Sequence, residues 1–446
     1  MFDRRDALAA SEAHETALSC LEAGIEAAHP RRVVADAVAV GGDTLAVGDG
    51  RYDLTAHDEI VVVGGGKAGD TVADALEELL GERISAGAVV DTDPTEGGRI
   101  ERLRGSHPVP DETGVESTKR IAELVADADE RTLLLVVVTG GASAILPSPA
   151  EGVSLEDVRE TTDALLSAGA DIGEINAVRK HISTLKGGGL ARLAEPATVV
   201  GIALSDVVGD DLSVIASGPT APDDSTFGEA LSVLDRYGVD APVAVRERLL
   251  AGEQGDVPET PGTGDPVFSL VTNHVVADGF TAVSAAREEA KERGYEVCVL
   301  SSRIRGEARE AAKTKAAVAE EAAATGNPVE PPAVVVSGGE TTVTVSGDGD
   351  GGPNLEYALS AALTLTVDGE SAVVGAVDTD GRDGGTDVAG ALVDGETVDD
   401  AAGARGALAR NDALPYLRER GTLLETGTTG TNVNDLRVAV IRESKV

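Results

Sequence analysis

Tryptophan is absent from this chain of 446 residues, and with four Phe and five Tyr the aromatics reach only 2%. A core of this size must therefore be built from Val, Ala, Leu and Ile, as buried parallel sheets and their covering helices are. Cysteine is nearly absent too: Cys20 and Cys298 lie far apart and match no metal-ligand spacing, and a reducing cytoplasm fits them. No run reaches the ~18 apolar residues of a membrane-spanning helix. The opening MFDRRDALAASEAHETAL lacks an apolar signal core and reads as an amphipathic helix. Positive charge is the other shortage, with 37 basic against 78 acidic residues and a formal charge of −41. Such a field excludes nucleic acid and anionic membranes as partners. Regular apolar runs argue against disorder, so the expectation is a folded cytoplasmic protein in a salty interior, where screening within a few Å makes dense surface carboxylates tolerable. A homo-oligomer is compatible with all of this.

What is present is an alternation of short strands and helices. Strands are expected at Ile60–Val63, Ala86–Val90, Leu133–Val138 and Thr198–Leu204, with helices at Gly69–Leu80, Gly114–Ala126, Leu155–Ala168 and Ile175–Leu193. That order implies an α/β fold with a doubly wound, Rossmann-like parallel sheet. The aperiodic segment AGEQGDVPETPGTGDP (251–266) is the clearest break. Beyond it, strands at Phe268–Thr272, Glu296–Leu300, Ala333–Ser337 and Ala372–Val377 surround helices at Gly279–Glu292 and Gly306–Ala324. Two domains follow, 1–255 and a smaller α/β domain at 256–446, unless the chain crosses back between them.

Three times a Val strand runs into a Gly-Gly turn: VVVGGGKAG (61–69), VVVTGGASA (136–144) and VVVSGGETT (334–342). Any tight strand-to-helix turn needs glycine, but glycine also lets backbone N–H groups close on a phosphate or carboxylate. Gly65, Gly66, Ser143, Gly338, Gly339 and Glu340 are therefore candidate ligand contacts. In the first turn Gly64, Gly66 and Gly69 have dinucleotide spacing, with Asp91 and Asp93 where a ribose-binding acid would stand. Lys67 disturbs that reading, because a small neutral residue there would let the pyrophosphate approach, and Ala68 excludes a Walker A loop. A glycine-flanked lysine suits a mobile charge that steers phosphate oxygens or an attacking hydroxyl. The chain has eight lysines in all, so one placed in a glycine turn is notable.

NAVRKHISTLKGGGLARL (176–193) holds the densest basic cluster, including Arg179, Lys180 and Lys186. Basic residues can offset a helix dipole near its C-terminus, but an acidic protein that takes an anion also needs a local positive site. In SDVVGDDLSVIASGPT (205–220), Asp206 and Asp210 are candidate Mg²⁺ ligands and Ser217 a candidate hydroxyl donor, beside ordinary turn and cap chemistry. Asp378 and Asp380 close the expected strand near 377 and are further metal candidates. No nucleophile elbow, H-E-x-x-H or protein-kinase loop set occurs, and clustered carboxylates with sparse lysines fit phosphoryl transfer.

GGGKAG (64–69), GSHPVPDE (105–112), VTGGASA (138–144), NAVRKHISTLKGGGLA (176–191), SDVVGDDLSVIASGPT (205–220), SGGETTVTV (337–345), DTDGRDGGTDVAGALVD (378–394) and TGTTGTNVNDL (426–436) together resemble the MOFRL-type glycerate kinases. The resemblance spans nearly the whole chain, in order. It implies two α/β domains with the active site between them, ATP and Mg²⁺ as cofactors, and phosphorylation of D-glycerate, usually at the 2-hydroxyl. It makes Lys67 the catalytic lysine and adds Asn354 and Asn434 to the substrate or ATP contacts. The family's Gly-Arg-Asn-Gln-Glu is here Gly352-Pro353-Asn354-Leu355-Glu356, so proline replaces an arginine. Arg104, Arg179 and Arg382 are the candidates to compensate. Relatives have also been labelled hydroxypyruvate reductases, which leaves NAD(P)H-dependent reduction as the competing class and a non-catalytic sugar-acid binder as a third.

Overall fold

The computed structural model describes residues 1–365 and 372–442. The chain forms two compact units: a middle unit, Val33–Val276, and a terminal unit joining Met1–Arg32 to Ala277–Val446.

The middle unit carries a small antiparallel sheet of β1 (Val38–Gly41), β2 (Thr44–Val47) and β3 (Gly50–Asp53). Its main sheet contains β4 (Glu59–Gly65), β5 (Ile84–Asp91), β6 (Glu101–Arg104), β7 (Thr132–Val138), β8 (Thr198–Leu204) and β9 (Val271–Ala277), in the order β6-β5-β4-β7-β8-β9. Pairing is parallel from β6 through β8. The Val and Leu runs of β4 and β7 are buried along both faces, which is why they read as continuous apolar stretches rather than alternating ones. The chain winds outward from β4 in one direction and from β7 in the other. The strand order therefore reverses between them, and the turns that follow β4 and β7 meet at the switch point where such sheets bind ligands. Helices Leu155–Ser167, Ile172–His181, Phe227–Tyr237 and Val243–Glu253 enclose a second core around Val178, Phe227, Leu234 and Leu249.

The terminal unit holds β10 (Glu296–Ile304), β11 (Ala333–Gly339), β12 (Ala372–Asp378), β13 (Gly390–Asp394), β14 (Leu423–Leu424) and β15 (Asp435–Ile441), ordered β10-β11-β15-β12-β13-β14. Among the described residues only β10 and β11 pair in parallel in this sheet; β15 runs antiparallel between β11 and β12. Helix Glu12–Ala27, N-capped by Ser11, packs on helix Gly279–Glu292 and on β15, approaching so closely that a Cβ on Gly24 would lie 2.9 Å from the Ala282 carbonyl oxygen.

These units divide otherwise than at 255/256. The polar segment 251–266 is a surface connection, and the chain returns from it to add β9 to the middle sheet. The expected strand Phe268–Thr272 starts later, after a 3₁₀ turn at Pro266–Leu270 begun by proline and the Asp265 cap. The expected helix Ile175–Leu193 is two helices, Ile172–His181 and Gly189–Ala194, because Gly187 and Gly188 take left-handed φ of 54° and 78°. Among the described residues no helix is long and apolar enough to cross a membrane.

Candidate active site

Beyond β4 the three glycines serve close packing. A Cβ on Gly66 would collide with Thr139, and one on Gly65 with the Val90 carbonyl. The turns after β4 and β7 are stitched together: Lys67 N donates to Gly140 O at 2.8 Å, Thr139 N to Gly65 O at 3.1 Å and Ala68 N to Thr139 Oγ1 at 3.1 Å. Gly66 N is likewise taken by Val90 O at 3.0 Å. The backbone donors of residues 66 to 68 are thus consumed within the protein and do not form an open phosphate nest. At the start of helix Gly69–Leu80, Asp70 N donates to Asp91 Oδ2 at 3.0 Å, and Asp93 N to Asp91 Oδ1 at 3.1 Å. The place a dinucleotide's pyrophosphate would occupy is capped by the protein's own carboxylate.

What the stitched turns do is aim side chains. A Cβ on Gly141, whose φ is 80°, would stand 2.9 Å from His107 Cδ2 and 3.2 Å from Lys67 Cγ; one on Gly140 would stand 2.5 Å from Asp206 Oδ2. Lys67, His107 and Asp206 therefore converge around a glycine pair that leaves them room. Burial pushes the Asp206 carboxyl up, while backbone N–H groups, Gly141's among them, and the Lys67 charge pull it down. Next to them Ser143 Oγ lies 2.9 Å from Ser217 Oγ, which donates to Asn176 Oδ1 at 3.0 Å. Ala216, Ser217 and Gly218 all hold left-handed φ (52°, 62° and 67°), a strained run for two non-glycine residues that recurs at functional sites.

Lys186 Nζ donates to the Ser143 carbonyl at 2.9 Å, which fixes a second ammonium beside this cluster. Burial and the neighbouring Arg179 lower its pKa to about 7, and burial lowers that of Arg179 as well. Arg179, Lys186, Ser143, His107 and Gly141 line a cavity of about 370 Å³, whose far wall is the helix Leu155–Ser167. Lys67, Ser143, Arg179, Lys186, Ser217 and Asp206 are thus brought together in one unit. Lys180 is not among them: it is buried in an ion pair with Asp223 at 3.1 Å. Asp210 sits in a left-handed turn (φ 60°) whose N–H donates to Val207 O at 3.0 Å. Arg104 is exposed at the end of β6.

The third glycine turn, in the terminal unit, leads to a different arrangement. Gly339 (φ 140°) lies against the Ile304 carbonyl, and Glu340, itself exposed, donates its N–H to the same oxygen at 2.9 Å; Gly338 is buried beside Asp435. Asn354 is fully buried, its N–H bonded to Asp383 Oδ1 at 2.8 Å, its Nδ2 to Asp435 Oδ1 at 2.6 Å, and its Oδ1 accepting from Arg437 Nε at 3.3 Å. Arg437 has no solvent exposure; it pairs with Asp435 and lies over the Tyr357 ring at 4.3 Å. Lys315, also buried, donates to Ser337 Oγ at 3.0 Å and to the Arg437 carbonyl at 2.7 Å. Asn434 (φ 66°) offers its carbonyl to Thr379 Oγ1 at 2.8 Å, a turn-forming role. Burial and the charges of Asp380, Asp435 and Asp383 push the Asp378 carboxyl well up, and Asp383 rises to about 7 through burial opposed by its helix-capping bonds. Arg382 is exposed, its N–H donating to Asp380 Oδ1 at 2.8 Å. Among the described residues no three His, Cys, Asp or Glu side chains are arranged to hold a metal ion.

His107, Arg437 and Lys315 escaped the sequence reading. His107 stood in a quoted motif, and a charged residue inside the apolar run LRVAVI was the signal for Arg437.

Residues 16–250 match the family model described as Domain of unknown function (DUF4147), and residues 333–435 match that described as MOFRL family. A glycerate 2-kinase of Pyrococcus horikoshii is 37% identical over 443 residues, covering 98% of this chain and 99% of its own. The chain belongs to the MOFRL-type glycerate kinases. A second relative, from Agrobacterium vitis, is 39% identical over 92% of this chain and 93% of its own and is named a putative hydroxypyruvate reductase. Among solved structures, a glycerate kinase from Thermotoga maritima superposes with a TM-score of 0.83 at 39% identity, covering 95% of this chain and 97% of its own. This glycerate kinase fold thus extends over both units and includes the switch-point turns.

Proposed function

We propose that the protein transfers the terminal phosphoryl group of ATP to D-glycerate, at the 2-hydroxyl, giving 2-phosphoglycerate. The observation that carries the reading is the convergence of Lys67, Asp206, Arg179 and Lys186 at the switch point, a cationic island in a chain of charge −41. Lys67 stabilises charge on the phosphoryl oxygens during transfer. Asp206, held up by burial, accepts the proton of the attacking hydroxyl as the bond from that oxygen to phosphorus forms and the bond to ADP breaks. Arg179 and Lys186 supply further positive charge on the cavity wall beside Gly141.

Mg²⁺ fits Asp378 and Asp380 better than Asp206 and Asp210. The first two repel each other in a buried setting that a cation would relieve, whereas Asp206 already faces Lys67. A cation held there would supply positive charge to phosphate oxygens. The acidic surface supports placing the enzyme in a salty cytoplasm.

Reduction of hydroxypyruvate is disfavoured because Asp91 caps the helix that would receive a nicotinamide dinucleotide. Coupled assays separate the two: ATP consumption that requires glycerate supports the kinase, and NAD(P)H oxidation with hydroxypyruvate would overturn it. Phosphorus NMR of the product reports which hydroxyl is esterified.

A further inference from the structure

The cavity beside the cationic island is too large and too apolar to be explained by glycerate. It measures about 370 Å³, within the range of pockets for drug-sized ligands, and a three-carbon acid would fill a small part of it. Much of its wall is aliphatic: Val109, Pro110, Pro147, Pro149, Val158 and Leu166. A small polyhydroxylated anion gains nothing from such a surface. Two of these residues are exposed, Val109 at 50% and Leu166 at 55%.

The wall contributed by helix Leu155–Ser167 has a regular construction. Val158, Thr162 and Leu166 recur every four residues and so lie along one stripe, flanked by Arg159 and Asp163. An apolar stripe edged by a hydroxyl, a carboxylate and a guanidinium is the lining that a flat heteroaromatic ring with a sugar attached would need. The opposite wall carries Arg179, Lys186 and Ser143, the groups nearest Lys67 by way of Gly141. The usual alternative position for a nucleotide in this kind of sheet, the start of helix Gly69–Leu80, is closed by Asp91.

We propose that this cavity binds the adenine ring and ribose of the nucleotide, with its phosphates passing Lys186 and Ser143 toward Lys67. The base lies between the aliphatic walls, Asp163 and Thr162 meet the ribose hydroxyls, and glycerate stays outside the cavity. The inference rests on the kinase reading above.

Thr162→Trp fills the cavity from the half-buried centre of the stripe, and Leu166→Ala trims an exposed part of the wall without touching the core. Thr162→Trp is expected to raise the KM for ATP more than about tenfold and Leu166→Ala about threefold, with the KM for glycerate and the melting temperature unchanged. A rise in the KM for glycerate alone, or no change in either constant, overturns the assignment. Calorimetric titration with ADP distinguishes this from failure of the kinase reading. Were glycerate not the acceptor, ADP binding to the wild type that weakens in both variants would still uphold the nucleotide cavity, and wild-type-like ADP binding in both would overturn it.

Discussion

The two units contain the same sequence phrase with opposite outcomes. Behind the glycine turns of β4 and β7, Arg179 and Lys186 line a cavity and Lys67 stands against Gly141 in its wall. Behind the glycine turn of β11, Arg437, Asp435 and Asp383 bond one another or Asn354, and Lys315 bonds Ser337 and the Arg437 carbonyl, with Arg437 and Asn354 fully buried and Arg437 Nη1 left without a hydrogen-bond partner. A glycine turn therefore does not declare a ligand site. What decides it is whether the groups behind it form a buried network, which specifies packing, or stand at a cavity, where they are placed for chemistry.

The largest expected effect tests the open side. Lys67→Met should lower kcat by about three orders of magnitude, roughly 4 kcal/mol of transition-state stabilisation, with an unchanged melting curve. Near-normal turnover would remove Lys67 from catalysis. The closed side should fail the other way. Arg437→Met leaves Asp435 buried without its cation and should cost about 3–5 kcal/mol of stability, read from the denaturant midpoint. A variant as stable as the parent but inactive would mean the network serves the ligand after all.

A subtler contrast lies in pH. Lys186, with a pKa lowered to about 7 by burial and by Arg179, is protonated in the unfolded chain up to its ordinary value near 10.5. The unfolded state thus binds more protons between those limits, so the Lys186 contribution to stability rises as pH rises from 7 toward 10. Anion affinity should run oppositely, weakening above pH 7 as the ammonium discharges. His107 and Asp206 share that neighbourhood, so the Lys186→Arg variant, whose charge persists, identifies the residue by abolishing the fall. The smallest effect concerns strain: Ala216→Gly relaxes a φ of 52° and should raise stability by about 1 kcal/mol. Any loss of turnover on doing so would indicate that the strained run positions Ser217.

Much of the middle unit was readable because its signals are local. Val61–Val63 and Leu133–Val138 are buried on both faces and cannot be mistaken for surface strands, and Lys67 stood out in its glycine turn. What was not readable depends on distant partners. Strand β15 carries Asp435 and Arg437 at positions that suggest a surface strand until Asn354, Thr341 and Tyr357 are seen around them. Gly187 and Gly188 fall inside the one helix expected over Ile175–Leu193, whereas they lie between two. The N–H groups of residues 66 to 68 looked free for phosphate because their acceptors, Val90, Gly140 and Thr139, come from other strands. Lys180 likewise shares a helix with Arg179, but its ion-pair partner Asp223 lies 43 residues on.

The N-terminal helix makes synthesis and assembly run out of step. Glu12–Ala27 is translated long before β15, part of its docking surface, and Thr431 Oγ1 hydrogen-bonds the Ala28 carbonyl across 403 residues of sequence. The nascent helix must wait, its apolar stripe uncovered, while the whole Rossmann-like body is translated and folds behind it. A chaperone that shields such stripes therefore has a long task at this helix.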